Sequence, residues 1–225
     1  GNIRENGGGL CADIFCLSDA ALVRALFRIK KMLTKNRFFI GRVTDYPAFE
    51  RRGYIEGFYG KPWRHSQRLE MLELMASKGE NVCYYAPKDD PYHRKLWREL
   101  YPAAELTKLS ELVNKANSFC VSFAYCIAPG LSIRYTDRND REALFAKLDQ
   151  LFSIGIRSFG LLLDDIPEGF SCAEEARMMP LFVVSSAAVC LMITLSYKGT
   201  SVMLISSCKL YKICYFFVYF STLAL

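Results

Sequence analysis

An α/β fold built on a parallel sheet is the architecture this sequence predicts, and three observations predict it. Four short apolar segments, GYIEGFY at 53–59, NVCYYAP at 81–87, VSFAYCIAPG at 121–130 and SFGLLLDD at 158–165, follow one another at intervals of 28 to 40 residues, a common length for one strand plus one helix. Amphipathic stretches with helical spacing separate them. Each apolar segment ends in Gly, Pro or a polar cluster, as strands do where the chain turns. Largely apolar strands are covered on both faces by helices, so the sheet is either doubly wound or closed as a (β/α)8 barrel. In both, chemistry gathers at the carboxyl ends of the strands.

The elements follow in order. Residues 1 to 50 begin Gly-rich and continue as DAALVRALFRIKKML, where Ala21, Leu22, Ala25, Leu26, Ile29 and Met32 share a helical face and Asp19 is available as a cap. The basic residues of this stretch read as the solvated face of the helix. Beyond Gly53, Leu69, Leu72, Met75 and Ala76 mark a second helix, Leu106, Leu109, Val113 and Ala116 a third, and Leu144, Leu148, Leu151 and Phe152 a fourth.

After Glu175 the composition changes, with no further Asp, Glu, Asn, Gln, His or Trp. Met178 to Tyr197 is a run of 20 uncharged residues, long enough for a transmembrane helix. The segment from Val202 to Leu225 has Lys209 and Lys212 as its only charges. A membrane hairpin in place of further strands would leave the sheet with an open edge, so an unrelated tail on a truncated or misread frame is the preferred reading. Membrane association follows only if the tail inserts.

Composition excludes several classes. The formal net charge is +6, but the densest basic cluster is Arg28, Lys30 and Lys31, so no nucleic-acid footprint is expected. Nine cysteines form no CxxC pair and no zinc-type spacing, which indicates neither a metal site nor a disulfide framework. The opening GNIREN carries no apolar signal-peptide core. His65 and His93 lack ligand spacing and receive no role.

Chemistry is signalled most strongly at SFGLLLDDIPEGF, where the uncharged run Phe159 to Leu163 meets the adjacent carboxylates Asp164 and Asp165. A single Asp after a strand is often a helix cap. Two adjacent carboxylates repel, which raises the pKa of one and leaves it protonated. That asymmetry is what acid/base work requires.

The stretches RRGYIEGFYGKPWRHSQRLEML, YYAPKDDPYHRKLWRELYP, YCIAPGLSI and KLDQLFSIGIRSFGLLLDDI together resemble the catalytic domain of family 84 glycoside hydrolases, β-N-acetylglucosaminidases of the O-GlcNAcase and bacterial hyaluronidase-like type. The resemblance runs in order from Arg51 to Gly169. It implies a (β/α)8 barrel of which about the first four βα units lie in 51–177, preceded by the end of a small α/β domain in 1–50, with 178–225 an apolar tail. It implies no cofactor, no metal, and an N-acetylglucosamine-bearing glycan or glycoprotein as partner.

The resemblance further implies substrate-assisted retention, in which the 2-acetamido oxygen of the sugar attacks the anomeric carbon to form an oxazoline. By position, Asp164 would orient the acetamido NH, and Asp165 would protonate the leaving oxygen and then activate water. Gly57 would let the backbone approach the sugar, and Lys88 would hydrogen-bond it. Asp89 and Asp90 read as loop and helix-capping residues. Tyr59, Trp63, Tyr92 and Trp97 either stack on sugar or pack between loop and barrel. No counterpart of the second half of the barrel is recognisable after CAEEARMM, so the chain by itself is expected to be inactive. Two other classes stay open: a Mg²⁺-dependent enzyme with the Asp pair as hard oxygen ligands, and a non-catalytic sugar-binding or membrane-attached remnant.

Overall fold

A computed structural model describes residues 1–35, 40–130, 132–134 and 137–162, and the strand backbones at 191–197, 200–205 and 216–218. The Gly-rich start folds into a hairpin of β1 (Asn2–Asn6) and β2 (Gly9–Asp13), with Asn6 opposite Gly9. Such a two-residue turn needs positive φ at both central positions, and Gly7 at +55° and Gly8 at +83° supply it. Helix α1 (Asp19–Thr34) follows, and β3 (Gly41–Arg42) pairs antiparallel with β1. The cap of α1 is Ser18, whose Oγ accepts from the Ala21 N–H at 3.3 Å, rather than the expected Asp19. Asp19 instead occupies the first turn, where its charge complements the helix dipole.

The four expected strands form as β4 (Gly53–Glu56), β5 (Val82–Tyr85), β6 (Ser122–Ile127) and β7 (Ser158–Leu162). The expected helices alternate with them as α2 (His65–Lys78), α3 (Ala103–Ser118) and α4 (Arg138–Ser153). The strands are neighbours in the order β4-β5-β6-β7. Their starts are laced together: the Arg52 carbonyl accepts from the N–H groups of Asn81 (2.7 Å) and Val82 (3.1 Å), and the Asn81 carbonyl accepts from Ser122 N–H (2.8 Å). β6 and β7 are parallel, with Ala124 opposite Ser158 and Ile127 opposite Leu161. Gly53 permits this close approach, since a Cβ there would lie 1.6 Å from the Val82 carbonyl oxygen. The α/β class with a parallel sheet is therefore as expected, and the described strands extend as a sheet.

Past β7 come β8 (Leu191–Tyr197), β9 (Thr200–Ile205) and β10 (Phe216–Val218). β9 runs parallel to β7, while β8 is antiparallel to β9 and parallel to β10. Leu191–Tyr197 belongs to the run long enough for a membrane helix, yet it is extended. Its sequence LMITLSY, with β-branched Ile and Thr and an aromatic, suits a strand. Among the described residues no helix is long and apolar enough to cross a membrane.

The chain divides into two compact units. The first comprises Gly1–Tyr54, Trp63–Cys83 and Asn114–Ser122. In it, Phe27 packs on Phe119 at 5.8 Å, and Tyr54 meets Trp63 edge-on at 5.2 Å. The second comprises Ile55–Pro62, Tyr84–Val113 and the chain from Phe123. Its core holds Leu151, Ile156 and Phe159, all fully buried, with the Tyr85 ring against Phe123 and Tyr125 at 5.6 and 5.9 Å. Each aromatic pair adds about 1 kcal/mol beyond simple burial.

Candidate active site at the strand carboxyl ends

The second unit holds the carboxyl ends of β4, β5, β6 and β7. At the end of β5, the Asp90 N–H donates to the Pro87 carbonyl at 3.1 Å, closing a turn with Lys88 and Asp89 at its two central positions. The Lys88 ammonium lies 5.6 Å from the centre of the Tyr59 ring, in the loop after β4. Two candidate loops, those of Gly57 and Lys88, are thereby brought together. Gly57 takes no left-handed conformation, and among the described residues a Cβ there would meet only the Ile55 side chain, at an ordinary 3.6 and 3.9 Å. Among the described residues there is therefore room for a side chain at this position.

Asp90 caps the 3-10 turn Pro91–His93, as expected, its Oδ1 accepting from Tyr92 N–H at 2.9 Å. Its Oδ2 also accepts from the hydroxyls of Tyr85 (3.0 Å) and Tyr101 (2.6 Å). The Tyr101 hydroxyl is 2.9 Å from that of Tyr125, and burial pushes the pKa of both tyrosines well above 10.0. Lys147 reaches in from α4, fully buried, and donates to the Tyr92 carbonyl at 3.2 Å. Its ammonium lies 4.6 Å from the Tyr101 ring centre and 5.2 Å from that of Tyr92. Desolvation lowers its pKa to about 8, against the opposing pull of Asp90 and Glu99.

His93, given no role from the sequence, is also fully buried. Its Nδ1 is 2.7 Å from the Cys126 carbonyl, and its own carbonyl accepts from Ala128 N–H at 2.8 Å. Burial lowers its pKa, so Nδ1–H is the donor of a neutral ring, and Nε2 finds no partner among the described residues. A second ionic cluster joins Asp140 to Arg98 by two bonds of 2.6 and 2.7 Å and to Arg134 N–H at 2.8 Å.

Three of the four candidate stacking aromatics pack against other side chains, one of them buried and two half-buried. Trp97 is fully buried, with its indole N–H on Ser132 Oγ at 3.0 Å. Trp63 packs on Tyr54 and Tyr92 on Tyr101. Tyr59 is 73% exposed and open to a ligand. Asp164 and Asp165 lie outside the described residues, two and three positions beyond the last residue of β7.

The sequence reading passed over Glu56, Asp140 and Lys147, all buried. A signal existed for two of them: positions 140, 144, 147, 148 and 151 share one helical face, which puts Asp140 and Lys147 inside the apolar stripe of α4. A cavity of about 510 Å³ opens in the first unit among Ile3, Phe15, Ala25, Ile29 and Tyr46. None of the candidate site residues lines it.

A family model described as beta-N-acetylglucosaminidase matches residues 52–199. The chain belongs to this beta-N-acetylglucosaminidase family. Relatives of the family include the protein O-GlcNAcases of Rattus norvegicus and Mus musculus, each 38% identical over 137 residues. The match takes in 61% of this chain but only 15% of either relative's length. Among solved structures, a mutant of the Thermobaculum terrenum O-GlcNAc hydrolase is similar with a TM-score of 0.54 and 42% identity, covering 57% of this chain and 28% of that one. A structure of CpGH84B is similar with a TM-score of 0.53 and 43% identity, covering 57% and 23%.

Proposed function

We propose that residues 51–177 supply the first half of a (β/α)8 catalytic barrel that removes terminal β-linked N-acetylglucosamine from a glycan or glycoprotein. The O-GlcNAc hydrolase and O-GlcNAcase names of the relatives favour a modified protein as substrate. One observation carries the reading at the level of the site. Lys88 and Gly57, from the ends of different strands, belong to loops joined by the Lys88–Tyr59 contact at 5.6 Å, and nothing among the described residues requires a glycine at 57. A backbone kept bare without internal need suits close approach of a ligand.

The reaction is retaining and substrate-assisted. The acetamido oxygen attacks the anomeric carbon while Asp165 gives its proton to the departing glycosidic oxygen. The product is a cyclic oxazoline, whose N–H Asp164 holds as positive charge develops on the ring. Asp165, now a carboxylate, takes a proton from water. That water opens the oxazoline at the anomeric carbon, restoring the acetamide and the original configuration. Lys88 hydrogen-bonds the sugar, and Tyr59 offers it an aromatic face.

A barrel site is assembled from strand ends around the whole ring, and the family match stops at residue 199. Polypeptide 1–225 by itself therefore turns over N-acetylglucosaminides at a negligible rate, since a misplacement of about 1 Å already costs roughly 100-fold. A fluorogenic β-N-acetylglucosaminide assay tests this, with a variant carrying both Asp164→Asn and Asp165→Asn as background. Joining residues 1–177 in frame to the second half-barrel of a family member should raise hydrolysis far above that background. Activity of 1–225 alone would contradict the need for a second half, and an inactive but folded chimera would contradict the catalytic assignment.

A further inference from the structure

We infer that Asp90 is a positioning residue for Lys88: its carboxylate ties the turn that presents Lys88 to tyrosines on two other segments. The inference rests on the proposed sugar site. Asp90 is the fourth residue of the hydrogen-bonded turn Pro87–Asp90, and Lys88 is the second. A helix-capping role would account for one bond only, Oδ1 to Tyr92 N–H. The other oxygen instead takes two phenolic hydroxyls, from Tyr85 in β5 and from Tyr101 just before α3. Neither of these bonds is local to the turn.

The tyrosines are themselves held. Gln150 of α4 clasps the Tyr101 backbone in both directions, its Oε1 accepting from Tyr101 N–H at 2.8 Å and its Nε2 donating to the Tyr101 carbonyl at 2.9 Å. Tyr101 and Tyr125 also share a bond between their hydroxyls. On the far side of Asp90, Lys147 holds the Tyr92 carbonyl, and His93 joins the end of β6 through Cys126 and Ala128. The strand-end turn is thereby fixed from β5, β6, α4 and the segment before α3. A flexible lysine at a sugar site loses side-chain entropy on binding, and a rigid backbone beneath it limits the further loss.

The test uses the full chain and the variants Asp90→Asn, Tyr101→Phe and Lys88→Ala. Two readouts are taken: amide hydrogen exchange over residues 86–93, and binding of N-acetylglucosamine followed by NMR titration. Asp90→Asn should raise exchange in 86–93 at least about tenfold over exchange in α3, and Tyr101→Phe should do so to a smaller degree. It should also weaken sugar binding, and should weaken it no further when Lys88→Ala is already present, because the two residues act as one unit. Unchanged exchange in 86–93, or losses from Asp90→Asn and Lys88→Ala that simply add, would overturn the positioning role. Failure of the unaltered chain to bind N-acetylglucosamine would count against the proposed sugar site in this chain. The exchange readout would then judge the role of Asp90 independently, with loosening of 86–93 supporting it and no loosening overturning it.

Discussion

Replacing Lys147 with methionine should remove a pH dependence from folding stability. The buried ammonium is held by one carbonyl and two tyrosine rings, and its pKa falls from 10.5 to about 8 on folding. Between those values the unfolded chain binds more protons than the native one, so stability rises with pH. At about 1.4 kcal/mol per pH unit, the gain accumulated from about pH 7 to about pH 9.5 comes to about 2 kcal/mol. Below the folded value both states are charged and the full burial cost is felt. Tyr101 and Tyr125 act oppositely, since pKa values raised by folding make stability fall above their unfolded value of 10.0. The window therefore stops short of pH 10. Urea denaturation of the chain and of Lys147→Met across this range measures the difference directly. The variant, which keeps the apolar stem, should lack the rise of about 2 kcal/mol and should match or exceed the parent near pH 7. Parallel curves for the two proteins would refute the claim that Lys147 is charged and desolvated in the fold.

Other predictions concern single positions. Asp140→Ala should cost about 2 kcal/mol, because it strips a buried acceptor from Arg98 and from the Arg134 N–H. Those bonds, Arg98 foremost, hold the Asp140 carboxyl below its ordinary 3.8. Its contribution is therefore present at neutral pH and lost as pH falls through the folded value, which acid titration of parent against variant will show. Gly53→Ala should prevent normal folding, since its Cβ would sit 1.6 Å from the Val82 carbonyl oxygen; a cooperative melt close to the parent's would contradict the strand packing. Gly57→Ala should shift stability by less than about 0.5 kcal/mol yet weaken sugar binding. Deleting residues 178–225 removes β9 from the edge of β7, so it should lower solubility without releasing any protein from membranes. Carbonate-resistant retention of the full chain, with 1–177 released, would identify the tail as an anchor.

The layout of strands and helices was legible because periodicity reports burial. Leu72, Met75 and Ala76 on α2, and Leu109, Val113 and Ala116 on α3, are buried as their spacing predicts. The cap of α1 was misplaced by one residue because Ser18 and Asp19 both suit the position, and only the backbone geometry separates them. At the candidate site, Lys88 and Gly57 were visible as breaks in apolar strands. The hydrogen-bonded system beneath them was not, because Tyr101, Tyr125 and Lys147 come from other segments than Tyr85 and Asp90 and meet them only through tertiary packing. Lys147 shows the difficulty most clearly: polar residues on helices are ordinarily assigned to solvent, and its place inside an apolar stripe was the sole clue. In the tail, apolar length suggested a membrane helix, whereas Leu191–Tyr197 pairs as a strand with β9.

The central claim, that the Asp pair after β7 divides the chemistry between orientation and proton transfer, is tested most directly by leaving-group dependence. The assay uses residues 1–177 joined to a family member's second half-barrel, with substrates bearing either activated aryl or poor alkyl leaving groups. Asp165→Asn should slow both substrates, since both need Asp165 to activate water, but should reduce turnover of the alkyl substrate by roughly a further 100-fold or more, because only its leaving group needs a proton. Asp164→Asn should slow both alike, since both pass through the oxazoline. Equal losses on the two substrates in Asp165→Asn would contradict the account.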